Sequence, residues 1–122
     1  MKFGEYIRTI RMEKKISLRN LASRVGISPP YLSDIEKGNR YPPTKLLSRL
    51  SDTLRLTNEE RQMMYDLAGE ARNEIPEDIA IYLRQNESAR KAVRYAKENS
   101  IQDEAWRDVI TYFKFQAEKN RT

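Results

Sequence analysis

Residues 17–43, SLRNLASRVGISPPYLSDIEKGNRYPP, decide how the rest of the chain is read. Ser17 is a residue type that caps helices, and Leu21, Ala22 and Val25 behind it fall on one helical face, which predicts a helix of about two turns. Gly26 then supplies a tight turn. Ser28 caps a second short helix, because Pro29 and Pro30 fall in its first turn, where no backbone N–H is required, and Leu32 and Ile35 face inward. Gly38 ends it, and Asn39-Arg40-Tyr41-Pro42-Pro43 cannot continue a helix. Two helices that cross steeply through a short turn need a small side chain where their axes approach, which is Ala22, and a flexible residue at the bend, which is Gly26. Ile27, Leu32 and Ile35 fill the wedge between them.

Working outward, Phe3, Ile7 and Ile10 mark a first helix, and Thr44 starts a fourth with Leu46, Leu47, Leu50 and Leu54 on its inner side. Thr57 followed by Glu60 reads as a capping box that opens a fifth helix through Met63, Met64, Leu67 and Ala68, closing near Gly69. The expected fold is all-α: a five-helix domain over residues 1–70, then a smaller helical extension of about three helices over residues 71–122. Residues 72–76 are the expected boundary. Pro76 opens a sixth helix with Ile79, Tyr82 and Leu83 inside, and residues 87–98 form a seventh on Ala89, Ala92, Val93 and Ala96. Asn99-Ser100 interrupts. The last helix, near 102–119, carries Trp106, Val109, Ile110, Phe113 and Ala117 as its core-facing stripe. Ile101, Tyr112 and Phe115 lie on its opposite side, and a helix apolar on two faces calls for a partner, so these three are the expected dimer interface or protein-partner surface.

Composition narrows the chemistry. The 122 residues include no Cys and no His, which removes disulfides, thiolate nucleophiles, imidazole bases and the usual metal sites. The acids Glu59, Glu60, Asp103, Glu104 and Asp108 lie on expected exposed helix starts and faces without a base, nucleophile or phosphate loop beside them. No catalytic residue, cofactor or metal is expected, and the chain does not read as an enzyme. No apolar run reaches membrane-spanning length and the first residues lack a signal peptide's apolar core, so the expected address is cytoplasmic, with no membrane partner. The charge of +5 is unevenly spread: residues 1–50 hold 11 Lys+Arg against 4 Asp+Glu, a net of +7, and the remainder holds 12 against 14, a net of -2. That imbalance points to a polyanion bound by the N-terminal part.

The register of Ala22, Gly26, Ile27, Leu32 and Ile35, together with the Ile35-Glu36-Lys37-Gly38 ending, resembles the helix-turn-helix of the phage-repressor-like (XRE) family of bacterial DNA-binding proteins, over about residues 2–70. The resemblance implies a sequence-specific transcriptional regulator, most simply a repressor, that binds double-stranded DNA as a homodimer on an inverted-repeat operator, with half-sites about 34 Å apart. It makes residues 28–37 the recognition helix and Arg11 with Glu36 a structural ion pair. Bases would be met by Pro29, Pro30, Ser33 and Asp34. The prolines can only pack on thymine methyls, Ser33 can donate or accept, and Asp34 can accept from a cytosine amino group or instead pair with a nearby Lys or Arg. Phosphates would be met by Arg19, Tyr31, Lys37, Asn39, Arg40 and Lys45. This sequence departs from many relatives by placing Leu18 and Pro29 where they carry Gln or another polar reader. The alternative is an antitoxin, whose N-terminal domain binds its own operator while the C-terminal helices neutralise a toxin; the regular helical pattern of the tail favours the regulator. A recognition helix shaped for a wide groove suits B-form DNA better than A-form RNA.

Overall fold

The structure is a computed structural model that describes residues 1–121. Among these described residues are eight helices, α1 Phe3–Glu13, α2 Leu18–Val25, α3 Pro29–Glu36, α4 Thr44–Thr53, α5 Asn58–Arg72, α6 Glu77–Gln85, α7 Glu87–Glu98 and α8 Asp103–Asn120. No strand occurs among the described residues, so the fold is all-α, as the sequence leads one to expect.

Local chemistry accounts for the starts. The Asn20 N–H donates to Ser17 Oγ at 3.1 Å, and the Tyr31 N–H to Ser28 Oγ at 3.3 Å. Pro29 and Pro30 occupy the first two positions of α3, where a missing donor costs nothing. At α5 the capping box closes both ways: the Glu60 N–H donates to Thr57 Oγ1 at 3.2 Å and the Thr57 N–H to Glu60 Oε1 at 2.9 Å. Between α2 and α3, Gly26 sits in the left-handed region at φ 78°, and the Ile27 N–H returns to the Ala22 carbonyl at 3.0 Å.

Every buried residue among the described ones falls between Phe3 and Gly69. Ile7, Leu21, Val25, Leu32, Ile35, Leu50, Leu54 and Met64 are fully enclosed, each gaining roughly 1.5–3 kcal/mol from leaving water. Ala22 is also fully buried, in the wedge between α2 and α3. Gly4 fixes a second close crossing: a Cβ there would lie 2.3 Å from the Ile35 carbonyl oxygen and 2.4 Å from that of Glu36, so the start of α1 rests on the end of α3 backbone to backbone.

Two expectations need correction. The fifth helix does not close near Gly69 but runs to Arg72, where Asn73 at φ 55° ends it. Gly69 is a glycine for a different reason: the chain beyond the helix folds back so tightly that a Cβ there would meet the Glu74 carbonyl oxygen at 2.8 Å and the Pro76 nitrogen at 3.0 Å. The second correction concerns the tail. Helices α6, α7 and α8 contain no buried residue. On the stripe expected to face a core, Val109 is half-buried, whereas Trp106 and Ala117 are exposed, Ile110 is 53% exposed and Phe113 61%. Ile79, Tyr82, Ala92 and Val93 are likewise exposed, with Leu83, Ala89 and Ala96 half-buried. Periodicity marks the side of a helix that is apolar; it does not say whether the same chain has anything to cover it. The described residues form two compact units, Met1–Tyr82 and one that begins at Leu83.

Candidate nucleic-acid interface

The candidate site is built around α3, a helix of barely two turns whose inner side is Leu32, Ile35 and Glu36, all buried. Pro30 is exposed on its leading end, and Pro29, Tyr31, Ser33 and Asp34 are half-buried. A buried acid at the last residue of a helix is doubly unfavourable, because it is desolvated and sits at the negative end of the helix dipole. Arg11 of α1 answers both costs. Its Nε donates to Glu36 Oε2 at 2.8 Å and its Nη2 to Oε1 at 3.0 Å, a forked pair, while Nη1 donates to the Ile16 carbonyl at 3.0 Å. The bond to Glu36 raises the Arg11 pKa above its ordinary value, against the opposing effect of burial and with the added attraction of the carboxylate charge. The guanidinium therefore remains charged at any pH at which the protein is used, and one end of α3 is tied to α1.

Exposed cations flank this helix in the sequence. Lys37 and Asn39 are exposed at and just past its end; the Asn39 N–H donates to the Asp34 carbonyl at 2.8 Å, which holds that corner to α3. Arg40 is exposed, and its guanidinium lies over the Tyr31 ring, 4.8 Å from the centroid, so those two candidate phosphate contacts are brought together as a stacked pair. Arg19 and Lys45 stand apart in the first turns of α2 and α4, exposed and without an ion-pair partner among the described residues. Asp34 likewise has no basic partner within ion-pairing distance among the described residues, so its carboxylate is left to accept from something outside. Ile101, Tyr112 and Phe115 are all exposed, the last two at 58% and 61% on α8. Among the described residues no group of three or more His, Cys, Asp or Glu is placed to hold a metal ion, and no helix is long and apolar enough to cross a membrane.

Periodicity and motif left three contributors unmarked. Gly4 lets α1 reach the back of α3. Arg49 of α4 donates from Nη1 to the Val25 carbonyl at 3.4 Å, satisfying the end of α2 beside the bend. Arg72, the last residue of α5, donates from Nη2 to the Pro42 carbonyl at 3.3 Å and lies 5.2 Å over the Tyr41 ring. The only signal available for Gly4 was a glycine inside an otherwise good helix, and for the two arginines there was none, since both reach partners distant in sequence.

Known helix-turn-helix proteins resemble this chain in sequence. A helix-turn-helix family model matches residues 7–60. The HTH-type transcriptional repressor RghR of Bacillus subtilis is 32% identical over 107 residues, covering 85% of this chain and 76% of RghR. An uncharacterized HTH-type transcriptional regulator of Mycobacterium tuberculosis is 37% identical over 92 residues, 69% of this chain and 64% of that protein, so the match spans a little under two thirds of its length. Among solved structures, the clp gene regulator ClgR of Corynebacterium glutamicum superimposes with a TM-score of 0.47 at 28% identity, over 68% of this chain and 87% of ClgR. The chain belongs to the helix-turn-helix family of transcriptional regulators, in its phage-repressor-like (XRE) form.

Proposed function

We propose that this protein is a sequence-specific DNA-binding transcriptional regulator that represses by occupying an inverted-repeat operator as a dimer, with α3 in the major groove of each half-site. The observation that carries the reading is the charge of the N-terminal part: Arg19, Lys37, Arg40 and Lys45 are exposed cations without ion-pair partners among the described residues, in the part of the chain that holds the entire positive surplus. Exposed, unpaired cations on α3's end and on the helices before and after it in sequence are matched by phosphates. Arg19, Tyr31, Lys37, Asn39, Arg40 and Lys45 take the phosphates; Pro29, Pro30, Ser33 and Asp34 meet the bases; Arg11 and Glu36 hold the helix.

Residues 1–70 form the DNA-binding domain in this reading and residues 71–122 the dimerisation region. Support for the second half is the exposure of Ile101, Tyr112 and Phe115 together with Ile110 and Phe113, an apolar surface that a second copy would cover. A chain of this kind works in the cytoplasm, on the chromosome or on phage or plasmid DNA.

Selection of bound sequences from a random DNA pool at near-physiological salt tests the reading, and an enriched inverted repeat is the expected result. Lys37→Ala and Arg40→Ala each weaken enriched and random duplexes alike and lower the slope of log affinity against log salt by about one. A pool that returns no enriched sequence rejects sequence specificity, and an unchanged slope rejects the phosphate assignment.

A further inference from the structure

The segment that leaves α3 is pinned by its backbone at both ends and not in the middle. At the near end the Gly38 N–H donates to the Ile35 carbonyl at 3.1 Å and the Asn39 N–H to the Asp34 carbonyl at 2.8 Å; at the far end the Leu46 N–H donates to the Pro43 carbonyl at 2.9 Å. Between them, among the described residues, Arg40, Tyr41 and Pro42 take part in no backbone-to-backbone bond. Side chains hold this stretch instead. Arg40 stacks on Tyr31 from one side, and Arg72 reaches in from the end of α5, stacking on Tyr41 and donating to the Pro42 carbonyl. A basic residue in the last turn of a helix ordinarily serves the carbonyls of its own helix. Arg72 spends its contacts on a loop 30 residues away.

We infer that Arg72 is a positioning residue for DNA binding: through the Tyr41 ring and the Pro42 carbonyl it fixes the turn from which Arg40 meets a phosphate. The inference rests on the DNA-binding reading above and assigns Arg72 no contact with DNA. Its logic is preorganisation. A loop already held in its bound shape does not have to be ordered at the moment of binding, so removing the clamp weakens binding through Arg40 and not beside it.

A double-variant cycle on the full chain tests this with a short random-sequence duplex, which requires no knowledge of the operator. Arg72→Ala weakens binding by about fivefold and lowers the salt slope by about one, the weight of one ordered phosphate contact. Tyr41→Leu, which alters no charge, does the same. In an Arg40→Ala background neither adds a further loss, and Arg72→Lys restores part of the affinity. Backbone 15N relaxation measured without DNA shows larger-amplitude motion at residues 40–41 in Arg72→Ala and Tyr41→Leu while amide-exchange protection of α1 to α5 is retained. Additive losses in the double variants overturn the proposal, as does unaltered relaxation in the loop. A wild-type chain that fails to bind any duplex overturns the DNA-binding reading itself, and the relaxation measurement then still decides whether Arg72 orders the loop.

Discussion

At the scale of single residues, the ion pair between Arg11 and Glu36 shows how a charge is tolerated inside the scaffold. Glu36 is buried, and each of its oxygens accepts from Arg11. Replacing Arg11 with Leu strands the carboxylate, and the expected loss is about 3 kcal/mol in urea unfolding. Adding Glu36→Leu returns most of it, because the pair is then replaced by apolar bulk. A single variant as stable as the wild type would show that Glu36 finds another partner. The pairing was legible in the sequence only through the family pattern, since composition and period say nothing of which arginine meets which acid. The sequence allows Asp34 either a base or a neighbouring cation, and the structure leaves it without a cation among the described residues. Arg72 was invisible, because stacking on Tyr41 depends on where two remote helix ends fall.

Among elements, the boundaries that rest on caps and on φ-permissive residues were readable: Ser17, Ser28, the Thr57 and Glu60 box, and Gly26 are where the sequence puts them. What could not be read was close approach. Gly69 has the look of a helix end and is instead an interior residue crowded by the returning chain, and Gly4 is hidden in the first turn of α1. Gly4→Ala forces a methyl into two backbone carbonyls, which cannot swing aside like a flexible side chain. The expected cost is about 1–3 kcal/mol by denaturant titration, with α3 displaced and DNA binding weakened more than stability alone accounts for. An Ala variant with wild-type stability and affinity would show that the α1 to α3 crossing has slack.

For the whole molecule, the charge and the apolar surface are divided between the two ends of the chain. The positive surplus lies in the first 50 residues, and the large exposed apolar side chains of α8 lie in the last twenty. The period of the tail shows its helices but not which of their sides is covered, because a stripe that reads as core in a sequence can remain exposed. Deleting residues 101–122 is expected to give a monomer by sedimentation that binds a two-half-site duplex more weakly while leaving the melting of the N-terminal part intact. A truncated chain that sediments as a dimer would move the interface elsewhere.

Under the proposed dimerisation, the uncovered side of α8 would also tie occupancy to abundance. If subunits must meet before both half-sites fill, operator saturation rises faster than in proportion to copy number, and a modest change in synthesis or turnover crosses a threshold that a single-subunit binder would smooth into a gradual response.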